Sequence, residues 1–166
     1  SVLGRQELDG ELVEDVEDAL FKRAWIEMAR VVAAPDLARI VVAVDPPVTS
    51  GPAADACGIV VVGGGTDGRA YVLADRTVRG REPHGWACAA VAAYHEFEAD
   101  RIVAEVNQGG ELVLEVIRGV EAGVPVKMVR ANRGKWLWAE PAAALYQQGQ
   151  VAHVGNELHL NLTLLR

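Results

Sequence analysis

No run of about 18 consecutive apolar residues occurs in the chain, so no helix is expected to cross a membrane. The first residues lack a basic stretch followed by an apolar one, so they do not read as a secretion signal. There are only two cysteines, Cys57 and Cys88, too few for a disulfide framework or a zinc site. Both are expected to be reduced packing residues, which suits a cytosolic protein. The four histidines, His84, His95, His153 and His159, are scattered without metal-ligand spacing and are read as structural or solvent-facing. No Gly-x-x-x-x-Gly-Lys-Ser/Thr motif is present, which removes an ATPase of that type. Gly63-Gly64-Gly65 follows a strand pattern, but no helix pattern comes after it, so a dinucleotide fingerprint is rejected.

What is present is the material of one domain: 166 residues, 51% of them hydrophobic, enough for a real core. The net charge of -7 argues mildly against a nucleic-acid binder, but the charge is uneven. Residues 1–39 hold nine acids and five bases, and seven of those acids lie between Glu7 and Asp18. Two stretches run the other way. Arg76, Arg79 and Arg81 form one; Lys127, Arg130, Arg133 and Lys135, with no acid among them, form the other. Local basic patches, rather than the total, bind phosphate backbones. Two solvated loops are the plainer reading of the same residues.

Residues 1–38 differ in character from the rest of the chain. Leu20, Phe21, Ala24, Trp25, Met28 and Val31 or Val32 recur at helical spacing, and Pro35-Asp36 closes the pattern. An acidic lead precedes this helix. The segment is expected to hold no strand and to be a linker or docking arm. A second unit spans 39–166. Strands are expected at Ile40–Val44, Gly58–Gly63, Arg69–Asp75, Arg101–Glu105 and Pro125–Val129, with a short one at Gln150–Val154. A Gly- and Asp-rich turn joins the second and third. Helices are expected from near Pro83, through Leu112–Val120, and from Trp136 to Gln148. The order β-β-β-α-β-α-β-α implies an α/β fold, a mixed sheet with helices on its faces. It is the order of ribonuclease H-like domains, in which the first and fourth strands lie side by side.

Two acids stand out. Asp45 ends the apolar run Arg39-Ile-Val-Val-Ala-Val-Asp45, and Pro46-Pro47 stops that strand at once. Glu105 follows Arg101-Ile-Val-Ala and precedes Val106-Asn107. Strand ends in α/β sheets are where ligands bind. Two carboxylates meeting there repel unless something positive holds them, and a divalent cation with oxygen ligands does so. Other readings stay open: Asp45 as the cap of a turn, Glu105 in a salt bridge with Arg101 or Arg130. Thr49-Ser50-Gly51 and Asp55 fall in the loop after Asp45. Its hydroxyls and N–H groups suit a phosphate, and a plain surface turn suits the sequence equally. Asn107-Gln108-Gly109-Gly110 reads as a turn into a helix, whose glycines permit close approach of a ligand. Lys135 stands where it could stabilise developing charge. Trp136 and Trp138 are read as packing residues in preference to base-stacking ones.

The ordered series resembles the nuclease domain of the large terminase subunit of tailed bacteriophages and gene-transfer particles. The matching stretches are Val42-Ala-Val-Asp45-Pro46, Thr49-Ser50-Gly51, Gly58-Ile59-Val60, Asp100-Arg-Ile-Val-Ala-Glu105-Val-Asn107, Gly109-Gly110, Val129-Arg130-Ala131, Gly134-Lys135, Ala139-Glu140-Pro141 and Ala144-Leu145-Tyr146. The lead Gly4-Arg5-Gln6-Glu7-Leu8 with Phe21-Lys22-Arg23 is similar to the segment joining that family's packaging ATPase to its nuclease. The resemblance covers the chain to about Gly155.

It implies a ribonuclease H-like fold and an endonuclease that cuts concatemeric double-stranded DNA in the host cytoplasm. It implies two divalent ions, Mg²⁺ or Mn²⁺, with Asp45 bridging them and Glu105 binding one. Arg130, Arg133, Lys135, Thr49 and Ser50 would face the DNA. The implied partners are the ATPase domain, the small terminase subunit and the portal protein. With no ATPase motif here, the chain is expected to be an excised domain. One departure is plain. The family carries a third acidic ligand on a C-terminal helix, and nothing after Val154 matches it. Glu157 is the tail's one acid, and Asn161 stands near the expected place. The alternative is therefore a weakly cutting module of the same fold that docks DNA or protein. A sugar-kinase-like nucleotide binder would need a second related domain, for which 166 residues leave no room.

Overall fold

The computed structural model describes residues 23–47, 55–106, 110–130 and 135–155, with Arg23 and residues 135–139 described by their backbone alone. In chain order the elements are α1 (Arg23–Met28), β1 (Arg30–Val31), β2 (Leu37–Asp45), β3 (Gly58–Gly65), β4 (Ala70–Asp75) and α2 (Pro83–Glu96). Then come β5 (Arg101–Val106), α3 (Gly110–Val120), β6 (Val126–Arg130), α4 (Lys135–Gln147) and β7 (Val151–Val154).

The strands make one sheet in the order β1-β7-β4-β3-β2-β5-β6. β2, β3 and β4 form an antiparallel meander, and the remaining pairings are parallel. The apolar runs explain the central strands. Val42, Ile59, Val61, Ile102 and Ala104 are completely buried, as β-branched and small residues on a covered face should be. Successive strand residues point to opposite faces, so these side chains define one covered face. The helices α2 and α3 pack on it: Trp86, Ala87, Ala90, Ala93 and Ile117 join the same core. Pro83 begins α2 at a position where a missing N–H costs nothing. The Ala-rich turns beyond it let the helix lie close to the sheet. On the other face, Tyr146 of α4 packs with Val60, Ala70, Val72 and Val151.

Three expectations change. Residues 1–38 do hold strand: β1 pairs with β7, and β2 begins at Leu37. A two-residue strand carries no period-two signal; it forms because the edge of β7 accepts it. The helix ends at Met28 instead of near Pro35, since β-branched Val31 pairs better than it coils. Finally, β3 runs on to Gly65, two residues past the expected end, and the turn tightens around Gly68 at φ +83°. The acidic lead and the helical positions Leu20 and Phe21 lie outside the described residues. Among the described residues no helix is long and apolar enough to cross a membrane.

Candidate active site

The first and fourth strands of the sequence series, β2 and β5, are parallel neighbours. Their register places Val42 beside Ile102, Ala43 beside Val103 and Val44 beside Ala104. One step further along both strands stand Asp45 and Glu105. Adjacent strands lie about 4.8 Å apart, so sixty residues of sequence separation collapse to one strand spacing. The faces agree as well. Val42, Val44, Ile102 and Ala104 are buried under α2 and α3. Asp45 and Glu105 alternate with them and share the opposite face, each half-buried. Pro46 has no N–H to continue the ladder, so β2 ends with its carboxylate at the rim.

Cys57 lies beside this rim. It precedes Gly58, the residue paired with Asp45 across β2 and β3. Burial pushes its thiol up to about 12, and the negative charge of Asp45 adds to the shift. A buried thiol held protonated in this way is a poor nucleophile.

Asp75 is an acid that sequence reasoning passed over. It ends β4 on the same face as Asp45, paired with Val60. Its carboxylate turns back to accept the Thr77 N–H at 2.9 Å. Among the described residues no three His, Cys, Asp or Glu side chains come together as a metal cage. Asp45 and Glu105 are a pair of half-buried carboxylates at strand ends, a donor set of the kind that fits a hard divalent cation.

Of the other expected residues, Arg130 ends β6 in register with Val106 and is exposed; by the pleat it belongs to the face opposite that of Glu105, which is paired with Val129. Lys135 begins α4, where the backbone alone is described. Thr49, Ser50 and Arg133 lie outside the described residues, as do Glu157 and Asn161. Gly110 has a packing reason. A Cβ there would lie 2.8 Å from both Cβ and Cγ2 of Val106, so the start of α3 sits directly on the end of β5. The histidines are structural or surface groups among the described residues. His84 contacts Cys88, exposed His95 meets Glu121 at 2.8 Å, and His153 is fully buried against Tyr146.

Residues 42–163 match the family described as the terminase RNaseH-like domain. The chain belongs to that family. Comparison with curated proteins finds none that matches. Solved structures share the fold at low identity. The large terminase nuclease of thermophilic phage G20c, solved with bound zinc, is 13% identical at a TM-score of 0.59, covering 89% of this chain and 87% of that one. A variant nuclease domain of the large terminase subunit of bacterial virus Sf6, solved with manganese, is 16% identical at a TM-score of 0.58, covering 84% and 76%. The large terminase of bacteriophage HK97 is 11% identical at a TM-score of 0.64. It covers 88% of this terminase domain, which spans only 35% of that chain. The sheet of this terminase domain is the mixed, helix-flanked sheet of the ribonuclease H-like class.

Proposed function

We propose that this terminase domain is a metal-dependent endonuclease that hydrolyses phosphodiester bonds of concatemeric double-stranded DNA. One observation carries the reading: the β2–β5 register brings Asp45 and Glu105 to adjacent strand ends on one face. Metals in the Sf6 and G20c structures support a divalent requirement. Two ions, Mg²⁺ or Mn²⁺, would supply an activated water and support the leaving oxygen of an in-line displacement. Asp45 would hold both ions and Glu105 one of them. The protein's own groups bind and orient. Exposed Arg130, at the end of β6, is assigned to a backbone phosphate by family resemblance. Arg133, Lys135, Thr49 and Ser50 are assigned the same task by family resemblance. Residues 1–38 serve as the arm to a packaging ATPase. The small subunit and the portal are partners in that assembly, in the bacterial cytoplasm.

A second reading rests on the absence of a third acid beside the pair among the described residues. It makes the domain a DNA- or protein-docking module that cuts poorly. Plasmid cleavage in Mn²⁺ or Mg²⁺ separates the two. The parent is expected to nick and linearise, and Asp45→Ala and Glu105→Ala to abolish cutting. Undiminished cutting by either variant refutes the assignment. A parent that binds DNA without cutting establishes the docking module.

A further inference from the structure

We propose that the loop joining β4 to α2, through Arg79 and Arg81, grips the sugar–phosphate backbone of duplex DNA and positions it over the carboxylate pair. This rests on the nuclease reading and extends it to residues that reading leaves unused. The loop is stitched to the working end of the sheet. Cys57 N–H donates to the Val78 carbonyl at 2.9 Å, and Val78 N–H donates to the Cys57 carbonyl at 3.1 Å. That bridge lies one residue before Gly58, the partner of Asp45. Arg79 therefore emerges at the corner where Asp45 ends its strand.

Gly80, at φ +59°, turns the chain sharply between the two arginines. The Arg81 stem then lies along the first turn of α2: a Cβ on Gly85 would sit 3.3 Å from Arg81 Cβ and 3.4 Å from its Cδ. Both arginines are exposed.

Three other arginines are held within the fold. Arg30 is held by Glu27 at 2.7 Å. Arg76 is held by Glu96 at 2.6 Å and lies over the Phe97 ring. Arg69 donates to the Gly149 carbonyl at 3.0 Å. Among the described residues, neither Arg79 nor Arg81 makes a hydrogen bond or ion pair. Glu82 is the loop's one acid, against three arginines. Two guanidinium groups with no partner among the described residues, at the end of the sheet where the acids stand, match an anion supplied from outside, and a planar fork matches phosphate oxygens.

The spacing suits a polyanion. From β4 to β6 is four strand intervals, about 19 Å, with the acids between. Phosphates on one strand rise by about 3.4 Å, so about five or six fill that span. Arg130, in register with buried Val106, belongs by the pleat to the helix-covered face, so the grip is assigned to Arg79 and Arg81 alone.

The test is fluorescence anisotropy of a short labelled duplex, in EDTA so that nothing is cut, across a salt series. For Arg79→Ala/Arg81→Ala the slope of log K against log salt is expected to fall by about 1.8, and affinity at moderate salt roughly tenfold. Arg79→Lys/Arg81→Lys keeps the charge and is expected to restore the slope, which a packing defect would not allow. Arg118→Ala removes an exposed charge near the end of α3, at the opposite end of the sheet, and is expected to leave the slope unchanged. An unchanged slope in the double alanine variant overturns the proposal, as does an equal loss from Arg118→Ala. Because no metal or cutting is involved, that failure is distinct from failure of the nuclease reading, which the Asp45→Ala and Glu105→Ala cleavage assay decides.

Discussion

Acid is expected to loosen this domain through one buried imidazole. His153 on β7 is completely buried. Its Nε2 lies 2.6 Å from the Tyr146 hydroxyl, and its Nδ1 has no hydrogen-bond partner among the described residues. Burial first, and the nearby Arg30 charge second, lower its pKa to about 4, while Glu27 acts weakly the other way. An unfolded histidine titrates near 6.5. Between those two values the unfolded chain binds more protons than the folded one, so stability rises with pH across the window. The contribution is complete above about 6.5 and lost as pH falls to about 4. At about 1.4 kcal/mol per pH unit, it amounts to roughly 3 kcal/mol. The strain falls at a joint, because β7 pairs with both β1 and β4. Urea melts at pH 7 and pH 4.5 measure it. His153→Gln offers Tyr146 an amide that does not titrate, so its loss of stability on acidification should be smaller than the parent's by about 2 to 3 kcal/mol. Carboxylates such as Asp67 and Glu96, whose pKa values are lowered by Tyr71 and Arg76, titrate equally in both proteins and cancel. Parallel losses in parent and variant would refute the reasoning.

Two other outcomes are expected. Gly110→Ala drives a methyl into Val106, a stiff β-branched neighbour. It should destabilise the domain by about 1–3 kcal/mol in a denaturant melt and reduce cutting, because the end of β5 that carries Glu105 must shift. In a native thiol titration with a soluble disulfide reagent, Cys88 should react, and Cys57, 2% exposed, should stay protected until denaturant is added.

Much of the sheet is legible in the residues. Ile40–Val44, Gly58–Gly63 and Arg101–Glu105 announce themselves as β-branched runs, and each lies inside an observed strand. Pro83 marks the start of α2. Asp45 and Glu105 stand out because an acid closing a covered strand has to be accounted for electrostatically. Other features leave no local trace. β1 is two residues long and exists only as an addition to the edge of β7. Asp75 closes an expected strand, yet nothing local says that its face is that of Asp45. Arg79 and Arg81 read as a solvated loop until the Cys57–Val78 bridge fastens them to the sheet end.

Residue order alone determined where the chain extends and coils, because side-chain branching, proline and apolar periodicity act over a few neighbours. Which strands touch, and in which register, was decided only in three dimensions. A one-residue slip between β2 and β5 would keep every strand intact and put the two carboxylates on opposite faces. Burying Val42, Val44, Ile102 and Ala104 together beneath α2 and α3 forbids that slip, and so brings Asp45 beside Glu105.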